Sequence, residues 1–325
     1  MTLRKPIVIS CGEPAGIGPE VAYKAWKYLR GEDTFIWIGD PRHLPEGAQY
    51  QVVAHASDAV HVCANALPVI AKNFGSDACA GIPNPTHAKN VIASITQAVA
   101  LVESGNADGV CTAPIHKATL IDGANFAYPG HTEYIAALAG IDRVVMMLAS
   151  DMLRVVPTTI HIPLAKVTSQ LTASLLTDTI LITHTAMQHD FGIEIPRIAV
   201  AALNPHAGEN GKMGKEELEM IIPVLDVLRA KGMDIVGPLS ADTMFHVTAR
   251  ASYDVAVCMY HDQALIPIKT LDFEGGVNIT LGLPFVRTSP DHGTAFDIAG
   301  RDMADTTSMI AALRMARTMA DARNV

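Results

Sequence analysis

The stretch PIVISCGEPAGIGPEVAYKAWKYLR, residues 6–30, carries the pattern from which the fold is read. Ile7 to Ser10 is a short apolar run rich in β-branched residues and reads as a strand. Pro19 to Arg30 reads as a helix, with proline at its start, where a missing N–H costs nothing. Gly12, Gly16 and Gly18 punctuate the connection and let the backbone turn tightly. Strand, glycine-rich turn and helix form the opening unit of an α/β fold.

Moving outward, the same alternation continues. Ile36–Ile38, Gly109–Thr112, Arg143–Leu148, Leu153–Ile160, Arg197–Leu203, Asp254–Met259, Val277–Thr280 and Phe285–Arg287 read as strands. Asn90–Glu103, Leu175–Phe191, Glu216–Ala230 and Thr306–Ala320 read as helices. Pro223 inside the third of these predicts a kink or a later helix start. Residues 41–83 carry many Pro, Gly and polar breaks and give no clear order. Alternation of this kind means α/β with a largely parallel sheet.

Bulk properties narrow the function. A chain of 325 residues fits one large α/β unit or two domains sharing a cleft. With 49% apolar residues there is ample material for a core. The net charge is −9, from 24 basic and 33 acidic residues, with no basic run, which excludes nucleic acid and anionic membrane as expected partners. No window approaches the roughly 20 apolar residues of a membrane span. The apolar run after MTLRK is too short for a secretory signal. Cys11, Cys63, Cys79, Cys111 and Cys258 are far apart and form no C-x-x-C, so a reducing cytoplasm is the expected compartment.

Polar signatures repeatedly follow apolar strands, where open α/β sheets bind ligands. Three of these strand ends deliver His161, His206 and His261. Three imidazoles with an open position suit a catalytic divalent metal, although each histidine alone also reads as a hydrogen-bonded structural residue. The loop Gly12–Glu20 reads either as an anion cradle at a helix start or as an ordinary tight turn. In Gly130-His131-Thr132-Glu133, Thr132 reads either as a helix cap or, with His131, as a contact to phosphate or carboxylate. Asn204–Gly211 is dense in turn formers. Lys269, Asn278 and Arg287 sit among apolar neighbours, where two cations and an amide would suit a substrate with phosphate and carboxylate groups.

Long words of the sequence resemble the 4-hydroxythreonine-4-phosphate dehydrogenase family along nearly the whole chain. They are GEPAGIGPE (12–20), TAPIHK (112–117), YPGHTE (128–133), NPHAGENGKMGKEE (204–217), GPLSADTMF (237–245), MYHDQALIPIK (259–269) and GVNITLGLPFVRTSPDHGTAFDIAG (276–300). GIGPE and HGTAFDIAG also resemble segments of isocitrate and isopropylmalate dehydrogenases, the second being their adenosine loop.

The resemblance implies an isocitrate/isopropylmalate dehydrogenase-like α/β fold, with two α/β/α domains flanking a cleft. Residues 1–125 plus 275–325 would form the cofactor side, and 126–274 the metal, substrate and dimerisation side. It implies His161, His206 and His261 as metal ligands, and His131, Thr132, Lys269, Asn278 and Arg287 as substrate contacts. His292, Gly293, Thr294, Asp297 and Gly300 would hold the adenine side of NAD or NADP. The metal would be zinc, with magnesium, manganese or cobalt as alternatives, in a homodimer with shared sites. The implied reaction is oxidation of 4-phosphooxy-L-threonine at C3, then metal-assisted decarboxylation to 3-amino-2-oxopropyl phosphate, on the way to pyridoxine 5′-phosphate. Lys269, Asp242, Asp262 and His131 are the candidate bases.

Four other readings compete. A sister dehydrogenase would act on 4-phospho-D-threonate or 4-phospho-D-erythronate. A phosphate acyltransferase would need neither the histidines nor the adenosine loop. A metallohydrolase would leave that loop unused, and a non-catalytic metal module would leave the substrate positions unexplained.

Overall fold

The computed structural model describes residues 4–324. Residues 1–3 and 325, which the expected outer domain boundaries include, lie outside the described residues. The chain divides into two compact units. One runs up to Val144 and resumes at Leu283–Asn324; the other is Val145–Gly282.

The first unit contains strands β1 (Ile7–Ser10), β2 (Phe35–Gly39), β3 (Tyr50–Val52), β4 (Leu67–Ala71) and β5 (Gly109–Thr112). The second contains β6 (Val145–Ala149), β7 (Arg154–Thr159), β8 (Ile198–Ala201), β9 (Ile235–Leu239), β10 (Val255–Tyr260) and β11 (Val277–Leu281). The chain then returns to the first unit with β12 (Val286–Pro290).

In the first unit the strand order is β3-β4-β2-β1-β5-β12, and these neighbours pair in parallel. β1, β2, β5 and β12 are buried along their whole length, and in β1 and β2 this burial shows as unbroken apolar runs rather than alternating ones, whereas β12 buries polar Arg287, Thr288 and Ser289. The helix Gly18–Leu29 carries Pro19 in its first turn and buries Val21, Ala22, Ala25, Trp26 and Leu29, a single helical face. Val8, Ile36, Ile38, Ile70, Ala98 and Val110 share one apolar cluster. The unread region 41–83 supplies β3, only three exposed residues long, and β4, which carries Pro68, features that hid them from pattern reading.

The second unit orders its strands β11-β6-β7-β10-β8-β9. β7, β10, β8 and β9 are parallel, while β6 runs antiparallel to both β7 and β11. Its core gathers Leu148, Val155, Ala199, Ala256, Cys258, Leu265 and Ile268.

One local reading changes, and one unread helix appears. The expected helix 216–230 opens as a π-turn, Glu217–Ile221, and becomes α-helical at Ile222–Ala230. Pro223 follows closely on that π-turn, where its missing N–H breaks the regular hydrogen-bond ladder. His261–Leu271 is a helix despite Pro267 inside it, an interruption that masks its periodicity. By compactness, residues 126–144 fall in the first unit and 275–282 in the second. Tyr134 of the helix His131–Leu138 bonds Thr96 at 2.8 Å and packs on Phe126, while β11 pairs antiparallel with β6. No helix among the described residues is long and apolar enough to cross a membrane.

Candidate active site

The expected site residues fall in both units, and each set is described in its own unit. In the second unit, the parallel register of β7 and β10 pairs Thr159 with Tyr260. The chain leaves both strands at the same edge, so His161 and His261 arrive side by side, with ring centroids 5.7 Å apart. They line a recess of about 280 Å³ with Thr159, Ile162, Tyr260 and Asp262. His261 Nδ1 lies 2.7 Å from Asp262 Oδ1. A carboxylate on one ring nitrogen orients the imidazole and leaves Nε2 to face a ligand, the usual arrangement around a metal-binding histidine.

His206 follows β8, the other neighbour of β10, but is not among the residues lining that recess. It stands beside Asp242, whose carboxyl is held below its ordinary range by a hydrogen bond from Ser240 and by His206. Among the described residues, no group of three or more His, Cys, Asp or Glu is gathered so as to hold a metal. The three expected ligands thus appear in this chain as a pair and a separate third.

The backbone at His206 is unusual. Residues 206–210 all lie in the left-handed region, with φ between 42° and 76°. Such a run persists only if its surroundings impose it. Buried Glu217 imposes it here: its Oε1 accepts from the backbone N–H of Leu203 at 2.9 Å and Asn204 at 2.8 Å. Its Oε2 accepts from Asn204 Nδ2 at 3.0 Å. Sequence reading missed Glu217, although it closes the word NPHAGENGKMGKEE.

Lys269 lies two turns along the same helix from His261, and the two border a second recess with Asp262 and Leu265. Asn278 lies within β11, opposite Leu148 of β6.

In the first unit, Arg287 is 3% exposed and stands on β12. Burial brings its guanidinium down to about 10, and the nearby Glu133 opposes the shift. Its Nη2 donates to Thr112 Oγ1 at 2.6 Å. His131 opens the helix His131–Leu138; its Nε2 is enclosed without a hydrogen-bond partner. Burial and the Arg287 charge push this imidazole down to about 3, so it is neutral at ordinary pH. The cap of that helix is Gly130, without a side-chain bond. Thr132 lies inside the first turn, so the capping reading of Thr132 does not hold.

The chain is matched over residues 32–316 by the family described as pyridoxal phosphate biosynthetic protein PdxA. The chain belongs to that family. A relative from Roseobacter denitrificans named 4-hydroxythreonine-4-phosphate dehydrogenase is 59% identical and covers 98% of both chains. One of the same name from Ruegeria is 57% identical, covering 98% of this chain and 97% of that one. The crystal structure of 4-hydroxythreonine-4-phosphate dehydrogenase from Klebsiella pneumoniae superposes with a TM-score of 0.88 at 35% identity, covering 97% of this chain and 99% of that one.

In this PdxA-family chain the glycine loop packs on one side against neighbouring loops, while Pro14, Gly16, Pro19 and Glu20 also line a recess of about 720 Å³ with Lys24, Arg42 and Gly300. Ile17 N donates to Thr294 O at 3.0 Å, and Glu13 N to Pro114 O at 2.8 Å. A Cβ on Gly16 would stand 2.7 Å from Thr294 O, and one on Gly12 2.5 Å from Pro114 O. The glycines therefore serve close approach between loops, and the loop holds Thr294 of the expected adenosine segment from behind. His116 packs edge-on against Phe296 of that segment at 5.1 Å. His292, Gly293, Thr294 and Asp297 remain at least partly exposed, and so does Gly300.

Proposed function

We propose that this chain oxidises 4-phosphooxy-L-threonine at C3 with NAD or NADP, and that decarboxylation follows to leave 3-amino-2-oxopropyl phosphate for pyridoxine 5′-phosphate synthesis. The observation that carries the reading is the full-length likeness to relatives named 4-hydroxythreonine-4-phosphate dehydrogenase, at up to 59% identity among those given above.

The residues take roles that suit it. Arg287 offers a charged, planar set of donors to a phosphate or carboxylate. His131, being neutral, acts as a hydrogen-bonding partner with Thr132; with its proton affinity so low it is a poor general base. Asp242 is likewise held down by Ser240. Asp262 and Lys269, which border one recess with His261, are the bases the reading favours. Lys269 and Asn278 complete the substrate contacts. His292, Gly293, Thr294, Asp297 and Gly300 take the adenine side of the cofactor.

Imidazoles, one of them tied to a carboxylate, fit a divalent ion, zinc first and magnesium, manganese or cobalt as alternatives. When bound, such an ion supplies Lewis acidity at the substrate's C3 oxygen. His161, His206 and His261 would hold it, shared between two copies of the chain in a homodimer. The separation of His206 from the His161–His261 recess supports that sharing.

The test uses purified protein, a divalent metal, NAD or NADP, and each phosphorylated acid in turn, followed by absorbance of the reduced cofactor. Reduction with 4-phosphooxy-L-threonine is expected. Turnover with only 4-phospho-D-threonate or 4-phospho-D-erythronate overturns the substrate, and no reduction with any of them overturns the dehydrogenase reading. His206→Ala should lose metal and turnover together; metal retained at full occupancy removes His206 from the ligand set.

A further inference from the structure

We infer that Thr112 is a positioning residue that aims the Arg287 guanidinium at the substrate's anionic group. The inference rests on the proposed role of Arg287 as a substrate contact.

The strand register makes the arrangement. β12 runs parallel to β5 with Arg287 beside Val110 and Thr288 beside Cys111. Side chains alternate between the faces of a strand, so Val110, Thr112 and Arg287 share one face. Thr112 is the last residue of β5, two positions beyond the partner of Arg287. The arginine must therefore lean along the strand, toward the carboxyl edge of the sheet, to reach it. It does so, with Nη2 donating to Thr112 Oγ1 at 2.6 Å.

The environment makes the contact count. Thr112 is 1% exposed and Arg287 is 3% exposed, so water does not compete freely for either. A guanidinium has donors only, so an oxygen acceptor is what can hold it. The planar fork then transmits the anchor: fixing one terminal nitrogen fixes the direction of the remaining N–H groups. A buried cation held in one orientation offers an incoming oxyanion donors that need little rearrangement. His131 and Glu133 lie within electrostatic reach of the same guanidinium, which places the helix His131–Leu138 at this point too.

Position 112 needs two properties at once. A β-branched side chain suits the interior of a parallel strand, and an oxygen at Cβ supplies the acceptor. Valine keeps the first and loses the second; serine keeps the acceptor.

The experiment compares Thr112→Val and Thr112→Ser in the wild-type and Arg287→Ala backgrounds, with thermal melting as the check on folding. Thr112→Val should raise KM for the phosphorylated substrate about 10-fold, with a smaller change in kcat, because a hydrogen bond to a charged group is lost. Thr112→Ser should bring KM back to within about threefold of wild type. In the Arg287→Ala background, Thr112→Val should add nothing, because the group it positions is gone. If Arg287→Ala raises KM but Thr112→Val does not, the positioning role is overturned while the substrate reading stands. An equal penalty from Thr112→Val in both backgrounds shows a merely structural residue and also overturns it. If Arg287→Ala leaves KM unchanged, the role of Arg287 fails and the inference with it. Should the valine variant not fold, Thr112→Ala against Thr112→Ser makes the same comparison.

Discussion

Replacing Glu217 with alanine should detach the His206 loop from the second unit's core. Glu217 is 1% exposed and accepts three hydrogen bonds, from the N–H groups of Leu203 and Asn204 and from Asn204 Nδ2. Alanine leaves two backbone donors to find water and opens space around Gly208, whose Cβ position lies 2.6 Å from the Glu217 carboxylate. An unsatisfied donor costs about 1–3 kcal/mol and entering water recovers part of it, so the loss should be about 3 kcal/mol. For a unit of this size that corresponds to a fall of about 10 °C in Tm. The run of left-handed residues 206–210 would relax, because its neighbours no longer impose it. If His206 is a metal ligand, affinity for zinc should drop about 10- to 100-fold, the usual scale for losing a residue that orients a ligand. Equilibrium dialysis against zinc, alongside thermal melting, reads both effects. Glu217→Gln should fall between wild type and alanine, since it keeps one oxygen for the two backbone donors. A Glu217→Ala protein with unchanged Tm and zinc affinity would refute the reasoning.

Other expectations come from the first unit. His131 has its folded value lowered from 6.5 to about 3, so the unfolded chain binds its proton first as the pH falls through that window. Its contribution is therefore complete above pH 6.5 and lost toward pH 3; in urea titrations across that range, His131→Asn should lose less stability than wild type, and parallel curves would contradict this. Gly16→Ala would set a Cβ 2.7 Å from Thr294 O, which is backbone and cannot swing aside. It should raise KM for NAD or NADP several-fold and leave that for the phosphorylated acid nearly unchanged; the reverse split would contradict the loop's assignment. Arg317 joins Asp33 at 2.6 Å and Asp108 at 2.8 Å with its side chain 8% exposed. Arg317→Ala leaves two enclosed carboxylates without their shared cation and should cost about 3 kcal/mol, read from the urea midpoint; a loss under about 1 kcal/mol would mean water screens the pair.

Much of this protein was legible before any coordinates. The central parallel strands bury both faces, so β1, β5, β7, β8 and β10 announce themselves as apolar runs, and helices such as Ala88–Glu103 and Thr307–Arg323 keep one apolar face. The pattern failed where local and tertiary signals part. β3 is short, β4 carries Pro68, β9 contains Gly237 and Pro238, and the helix from His261 is interrupted by Pro267.

By itself, the sequence determined the α/β class, the placing of polar words after strands, and, through long shared words, the family. Those properties depend on neighbours along the chain or on residue identity. Only the tertiary structure decided which strand ends meet. The register of β7 with β10 brings His161 to His261, 100 positions apart in the chain, while His206 goes to Asp242. Only the fold could show that the opening glycine turn packs against Thr294, or that Thr112 reaches Arg287. Such contacts arise from strand pairing and close packing between distant segments, and no local periodicity encodes them.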